Sequence, residues 1–239
     1  MAAASTKAMA LANAVYNYLI GVDEIGLSPF LKDWPCEPFN TRIVSQTGLP
    51  VLSYLPKLVP GTNKETDKLA KMLKTSAEHL CWGQTYTAED FGAGFLEKYG
   101  WTELIGLRGP IDSKDIACGF LLLGPDIEYP MHSHGAEEIY VPLSSWALWM
   151  QGNDPWVSRP IGVPIYHKSW VTHGMRTDST PLLALYLWRG GILPRNHIST
   201  NDKMKIDRGL ELILNVDWFG FPHIILHQPN DALFIGLEQ

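Results

Sequence analysis

The chain has 239 residues, a hydrophobic fraction of 46%, charged residues at only 18% and a formal net charge of −6. These values describe one globular domain, or one domain with a substantial extension, and argue against a disordered chain. No basic run offers a footprint for nucleic acid, and no stretch of about 18 consecutive apolar residues is present to span a bilayer.

Cys36, Cys81 and Cys118 form no CxxC pair. That argues against a disulfide scaffold or a zinc ribbon and sets the expectation of a reducing, cytoplasmic location. In chain order, the mildly apolar stretch from Met9 to Ile20 is interrupted by Asn13, Tyr16, Asn17 and Tyr18. It reads as an amphipathic helix, because an export signal has a cleaner apolar core. Prolines recurring from Pro35 to Pro60 predict an extended, irregular connection. Thr62-Asn63-Lys64-Glu65 reads as a capping box, followed by Leu69, Met72, Leu73 and Leu80 on one helical face. A second helix is expected after Thr87, with Asp90 three residues on. Phe91, Phe95, Leu96 and Tyr99 would form its apolar face and Gly100 its stop. Residues 1–110 are therefore expected to be a helical extension packed on a β domain of residues 111–239.

The second half changes character. Residues 116–123 form an apolar run closed by Gly124-Pro125-Asp126, residues 139–143 and 146–150 flank a Ser-Ser pair, and residues 182–188 are continuously apolar. Short strands at this spacing predict a β-sandwich or small barrel. Residues 217–227 read either as a further strand or as a helix-loop cap.

The chemistry concentrates in His132-Ser-His134-Gly-Ala-Glu137-Glu138-Ile-Tyr140. Neutral imidazole and carboxylate together suit a divalent first-row metal such as iron, manganese, nickel or zinc. His132, His134, Glu138 and Tyr140 share strand parity. A fully extended chain would hold His132 and Glu138 about 20 Å apart at roughly 3.3 Å per residue, too far to share an ion. The chain must bend, and Gly135 is where it can. His132 and His134 then fall on one strand, with Glu138 and Tyr140 on the next. Parity favours Glu138 over Glu137 as the ligand, and His173 can enter from a third strand. His223 and His227 are read as ordinary polar residues, and His79, His167 and His197 are assigned no role.

The His132/His134/Glu138/His173 pattern resembles the cupin superfamily of double-stranded β-helix barrels. A closer resemblance rests on Trp82-Gly-Gln-Thr-Tyr86, on Tyr99-Gly100-Trp101-x-Glu103-Leu104-Ile105-Gly106, on Tyr129-x2-His132-x-His134-x3-Glu138-x-Tyr140 and on Ala184-Leu-Tyr186-Leu-Trp188. These segments are similar to the cupin-type dimethylsulfoniopropionate lyases. The resemblance implies a mainly β fold, a cupin barrel joined to a helical N-terminal part. It implies one divalent transition metal (iron, manganese, zinc, nickel or cobalt) on His132, His134, Glu138 and His173. It further implies β-elimination of a small sulfonium carboxylate, with Tyr140 as base and Tyr129 as a supporting or alternative group.

Aromatic faces bind sulfonium cations, and Tyr129, Trp146, Trp149, Trp170, Tyr186 and Trp188 are candidates for that role. Two or three of them are expected to face the pocket, Tyr186 and Trp188 foremost. A homodimer is a further expectation, since cupins often pair. Two other functions fit the same ligands: a cupin oxygenase or isomerase acting on another small acid, and a non-catalytic ligand-binding cupin.

Overall fold

The computed structural model describes residues 2–61 and 63–190, and the strands at 202–206, 210–216 and 222–227. Five helices are described: α1 (Ala2–Leu19), α2 (Ser28–Lys32), α3 (Lys64–Ser76), α4 (Ala88–Phe91) and α5 (Ala93–Leu96). The early strands are β1 (Trp82–Gly83), β2 (Tyr99–Gly106), β3 (Ile111–Asp112), β4 (Ile116–Leu123), β5 (Glu128–His134), β6 (Glu137–Ser144) and β7 (Ala147–Gln151). The later ones are β8 (Val157–Ser158), β9 (Ile165–His167), β10 (His173–Thr177), β11 (Leu182–Arg189), β12 (Asp202–Ile206), β13 (Leu210–Val216) and β14 (Pro222–His227).

The strands form two sheets. One runs β1-β2-β4-β11-β6-β9, with β3 added parallel to β2; the other runs β12-β13-β14-β5-β10-β7-β8. The chain changes sheet at Gly135-Ala136, so β5 and β6 belong to opposite walls.

The first sheet is buried on both faces. Ile139, Val141, Leu143, Leu183, Leu185 and Leu187 pack with Leu11, Val15, Leu69 and Leu73 of the helices. The alternate residues Tyr140, Ala184, Tyr186 and Trp188 face the barrel interior with Tyr129, Trp149 and Met175 of the other sheet. A strand covered on both sides needs no polar alternation, which is why residues 116–123 and 182–188 read as unbroken apolar runs.

The helical layer follows its punctuation in part. α3 is capped by Asn63, whose side-chain oxygen accepts from the backbone N–H groups of Glu65 and Thr66. The cap is thus the residue after the threonine that opened the expected capping box. Leu69 and Leu73 are buried, as the helical spacing required. Residues 35–60 are not uniformly extended: Pro50–Lys57 forms a 3-10 helix entered at a proline.

The helix expected from Thr87 to Tyr99 is corrected. The Thr87–Asp90 capping box forms, but only one turn follows before Gly92 adopts φ +79°, a left-handed conformation that ends it. A second single turn follows, and residues 99–106 are strand, not helix. Pairing along β4 and burial on both faces outweigh the helical spacing of the aromatics there. Gly100 is not a helix stop. A Cβ at that position would lie 2.9 Å from both Leu49 and Val51, so the glycine serves close packing. The β architecture accordingly begins on the helical side of the boundary expected at residue 110.

Ion pairs tie the extension to the barrel. Arg189 at the end of β11 donates to Asp33 at 2.6 Å and to Glu137 at 3.2 Å. Arg42 pairs with Asp112 and donates to the carbonyls of Gly106 and Leu107.

Beneath that loop lies Glu103, 4% exposed, accepting from the backbone N–H groups of Arg108 at 2.8 Å and Gly109 at 2.6 Å. Its other oxygen is buried without a partner. Burial pushes its carboxyl up to about 7, against the lowering effect of those two bonds. The folded state therefore holds a proton that an unfolded glutamate would already have lost. The stabilisation is complete below the ordinary glutamate range and is lost as pH rises through about 7. Thermal unfolding of the parent and of Glu103→Gln should show this. The parent's advantage over the variant is expected to shrink by up to ~3 kcal/mol between pH 4.5 and 8. A difference that is flat with pH would show that Glu103 is ionised throughout.

Candidate metal centre

His132 and His134 project inward from β5, Glu138 and Tyr140 from β6, and His173 from β10. The antiparallel register places His173 opposite His132. One ligand-type atom from each of His132, His134, Glu138 and His173 lies within 4.8 Å of the others, and all four side chains are buried.

Gly135 sits in the sharp return between His134 and Glu138, outside the left-handed region, and a Cβ there would lie 3.3 Å from the Trp170 indole, a tight contact that a small shift of that ring relieves. Trp170, itself at φ +63°, donates its backbone N–H to His134 O at 2.7 Å. Ser169 Oγ donates to Gly135 O at 2.8 Å, so the loop before His173 clamps the turn after His134.

The tautomers follow from the backbone. His132 Nδ1 meets Pro130 O at 2.8 Å, His134 Nδ1 meets Ala136 O at 3.1 Å and His173 Nδ1 meets Val171 O at 2.9 Å. A carbonyl only accepts, so each Nδ1 carries the hydrogen and each Nε2 is left as a potential ligand. His134 Nε2 and His173 Nε2 lie 3.1 Å and 2.8 Å from the same oxygen, Glu138 Oε2. Lone pairs facing a carboxylate oxygen repel unless a proton or a cation sits among them. Imidazole nitrogens with one carboxylate are a donor set for a divalent transition metal, so the residues fit such an ion.

Burial alone would raise the Glu138 carboxyl; the imidazoles of His134, His167 and His173 that surround it outweigh this and hold the group well below the usual carboxylate range. The Trp188 indole N–H donates to Glu138 Oε1, and its ring lies 4.2 Å from that of His134.

Beside this cluster is a small pocket. Its walls include His132, His134, Tyr140, Tyr129, Tyr186 and Trp188, together with Thr85, Tyr86, Trp101 and Leu121. Tyr140, Tyr186, Gly119 and Glu103 lie in one cross-strand row. Only glycine fits at 119, where a Cβ would lie 2.7 Å from the Tyr186 hydroxyl and 1.9 Å from Thr102 O. Burial and the Glu138 charge push the Tyr140 phenol well above its ordinary value; burial and the neighbouring Tyr86 phenol do the same to Tyr129.

Of the aromatics named from sequence, Trp146 at 64% and Trp170 at 51% exposure point to solvent. Trp149 is buried 5.3 Å behind Tyr140 and lines a separate cavity. Sequence reasoning missed Thr85, Tyr86, Trp101 and His167. The first three sit in motif segments that had been given no role. His167 carried no local signal, because its neighbour Glu138 is brought to it by strand pairing. The side chains of His223 and His227, and all of His197, lie outside the described residues, although β14 pairs His223 with His134 along the backbone.

A buried imidazole and carboxylate cluster set between two antiparallel walls defines a metal-binding cupin barrel. Comparison with known proteins narrows this. Residues 36–184 match the dimethylsulfoniopropionate lyase family model. The chain is 37% identical over 112 residues to the dimethylsulfoniopropionate lyase DddQ of Ruegeria pomeroyi, across 46% of this chain and 55% of that relative. It thus spans little more than half of that relative's length.

A chain from the crystal structures of the DMSP lyases RdDddP and RnDddQII superposes with a TM-score of 0.71 at 26% identity, covering 82% of this chain and all of that one. The crystal structure of DddQ from Ruegeria pomeroyi DSS-3 gives 0.65 at 24% identity over 82% of this chain and 93% of that one, a likeness of fold. The chain belongs to the dimethylsulfoniopropionate lyase family. Among the described residues, no helix is long and apolar enough to cross a membrane.

Replacing His134 or Glu138 by alanine removes a donor from the centre. Elemental analysis of either variant should find less than a tenth of the parent's metal, since deleting an inner ligand costs more than the 10–100-fold typical of supporting residues. A full equivalent retained in either variant would remove that residue from the ligand set.

Proposed function

We propose that this chain is a metal-dependent carbon-sulfur lyase that cleaves dimethylsulfoniopropionate to dimethyl sulfide and acrylate, with Tyr140 as the base. Family membership supports the substrate. The observation that carries the mechanism is the buried Tyr140 phenol in the pocket wall, two residues along β6 from Glu138. His132, His134, Glu138 and His173 would hold the ion. When bound, the ion supplies positive charge that offsets the substrate carboxylate and lowers the pKa of a nearby phenol.

The chain's own residues do the rest. Tyr140 takes the proton from the carbon next to the carboxylate. The electron pair of that C–H bond becomes the new C=C bond, and the carbon–sulfur bond breaks with its pair going to sulfur. Sulfur leaves as neutral dimethyl sulfide, so no general acid is required. Trp188, Tyr186 and Tyr129 present aromatic faces to the sulfonium end, where cation–π attraction replaces water at modest desolvation cost. Tyr86 and Trp101 extend that wall, and Trp101 is fixed by its indole N–H donating to Thr85 Oγ1 at 3.1 Å. A pocket closed by aromatic rings also excludes water from the ionised phenol.

Incubation of the purified chain with dimethylsulfoniopropionate should release dimethyl sulfide into the headspace, and a chelator should abolish the release. Tyr140→Phe should lower kcat by about 10²–10⁴-fold, the usual contribution of a positioned base, with metal content unchanged. Activity surviving in that variant would take the base role from Tyr140. Ligand binding without turnover in the metal-loaded parent would favour a non-catalytic cupin.

A further inference from the structure

His167 stands outside the ligand set, yet it is among the most enclosed polar side chains of the barrel, 1% exposed. On β6 the register sets Glu138 directly beside His167 of β9 on one side and Trp188 of β11 on the other. Three inward side chains therefore form one cross-strand row with the carboxylate in the middle. Trp188 holds Glu138 Oε1 through its indole N–H. His167 Nδ1 lies 3.7 Å from Glu138 Oε2, beyond hydrogen-bond range, and is buried without a hydrogen-bond partner among the described residues. Glu138 Oε2 is the carboxylate oxygen it faces, and a rotation of either side chain would bring the two into hydrogen-bond contact.

The same ring stacks on His173, with centroids 4.1 Å apart and planes 18° from parallel. His167 sits in the first sheet and His173 in the second, so the stack joins the two walls at the centre.

We infer that His167 is a positioning residue for the metal centre. Its Nδ1–H and the Trp188 indole grip the two oxygens of Glu138, so that Oε2 is aimed at the ion, and its ring keeps His173 in the rotation that presents Nε2. His167 lines a second, small cavity with Gln151, Asp154 and Arg159, and none of that cavity's walls is shared with the substrate pocket. Its ring also stands edge-on to that of Tyr140, with centroids 5.9 Å apart.

The inference rests on the metal-centre reading but not on the substrate, so the test reads metal. Metal-stripped full-length protein is titrated with Co²⁺ against a chromophoric chelator, and the visible Co²⁺ absorption is recorded. His167→Phe keeps a ring against His173 and removes the N–H. Its affinity should fall about 10–100-fold, the usual cost of losing a residue that orients a ligand, and the Co²⁺ bands should change. His167→Asn carries an amide N–H near the Nδ1 position and should recover roughly tenfold of that loss.

Unchanged affinity and bands in His167→Phe overturn the inference, and so does equal loss in the Phe and Asn variants, which would make the residue mere filling. If the Phe variant does not fold, His167→Leu replaces it with the same expected loss. A parent protein that takes up no metal refutes the centre itself and the inference with it, an outcome distinct from the other two.

Discussion

A buried carboxylate governs this structure. Glu138 is fully enclosed, and an isolated charge in that setting would cost far more than a domain's whole stability margin. An indole N–H donates to one of its oxygens, while two imidazole nitrogens stand within 3.1 Å of the other, where a cation or a proton would relieve the repulsion of their lone pairs. His132, His134 and His173 direct their Nδ1 hydrogens to backbone carbonyls two residues away, which orients the rings. Such an arrangement suits a cation site, in which ligand basicity and geometry are set by the second layer of hydrogen bonds.

The rest of the architecture serves that enclosure. β5 and β6 are consecutive in sequence but lie in opposite walls, so a short turn at Gly135 delivers donors from both sides of the barrel. The loop carrying Trp170 and Ser169 clips that turn and leads directly into His173. The helical extension, through α1 and α3, covers the outer face of the first sheet. The strands that carry Glu138, Tyr140, Tyr186 and Trp188 are thereby held in place from behind. Rigidity on that side lets the pocket side be lined with rings. Phe91, Phe95, Tyr86, Tyr99 and Tyr129 form a chain of ring contacts beside the pocket, with centroids of contacting rings no more than 6.4 Å apart.

The parts of the site that could be read from sequence were those whose spacing is local. His132, His134, Glu138 and Tyr140 lie within nine residues on two consecutive strands, so strand parity alone placed each pair on one face of its strand and demanded the bend. The β11 and β4 strands were visible as apolar runs because both faces are buried. The helix expected through residue 99 was misread. Aromatic residues at helical intervals also suit a lid turn followed by an inward-facing strand, and only pairing with β4 separates the two. Gly135 does lie at the bend, but its backbone angle is not left-handed there, and its lack of a side chain leaves room for the close Trp170 ring. Trp188 was read as a face for a cation, and it also donates to Glu138.

By itself the sequence determined the chemistry on offer: a short run of imidazoles, a carboxylate and a phenol, carried by a chain apolar enough to bury them. Tertiary structure decided which distant residues join them. Strand pairing laid His167 and Trp188 on either side of Glu138, set Tyr186 across the space left by Gly119, and brought Tyr86 and Trp101 to the pocket. The physical reason is that side-chain parity is a property of a single strand, readable along the chain. Register between strands depends on turns, bulges and the burial of whole faces, and these exist only once the sheets have closed.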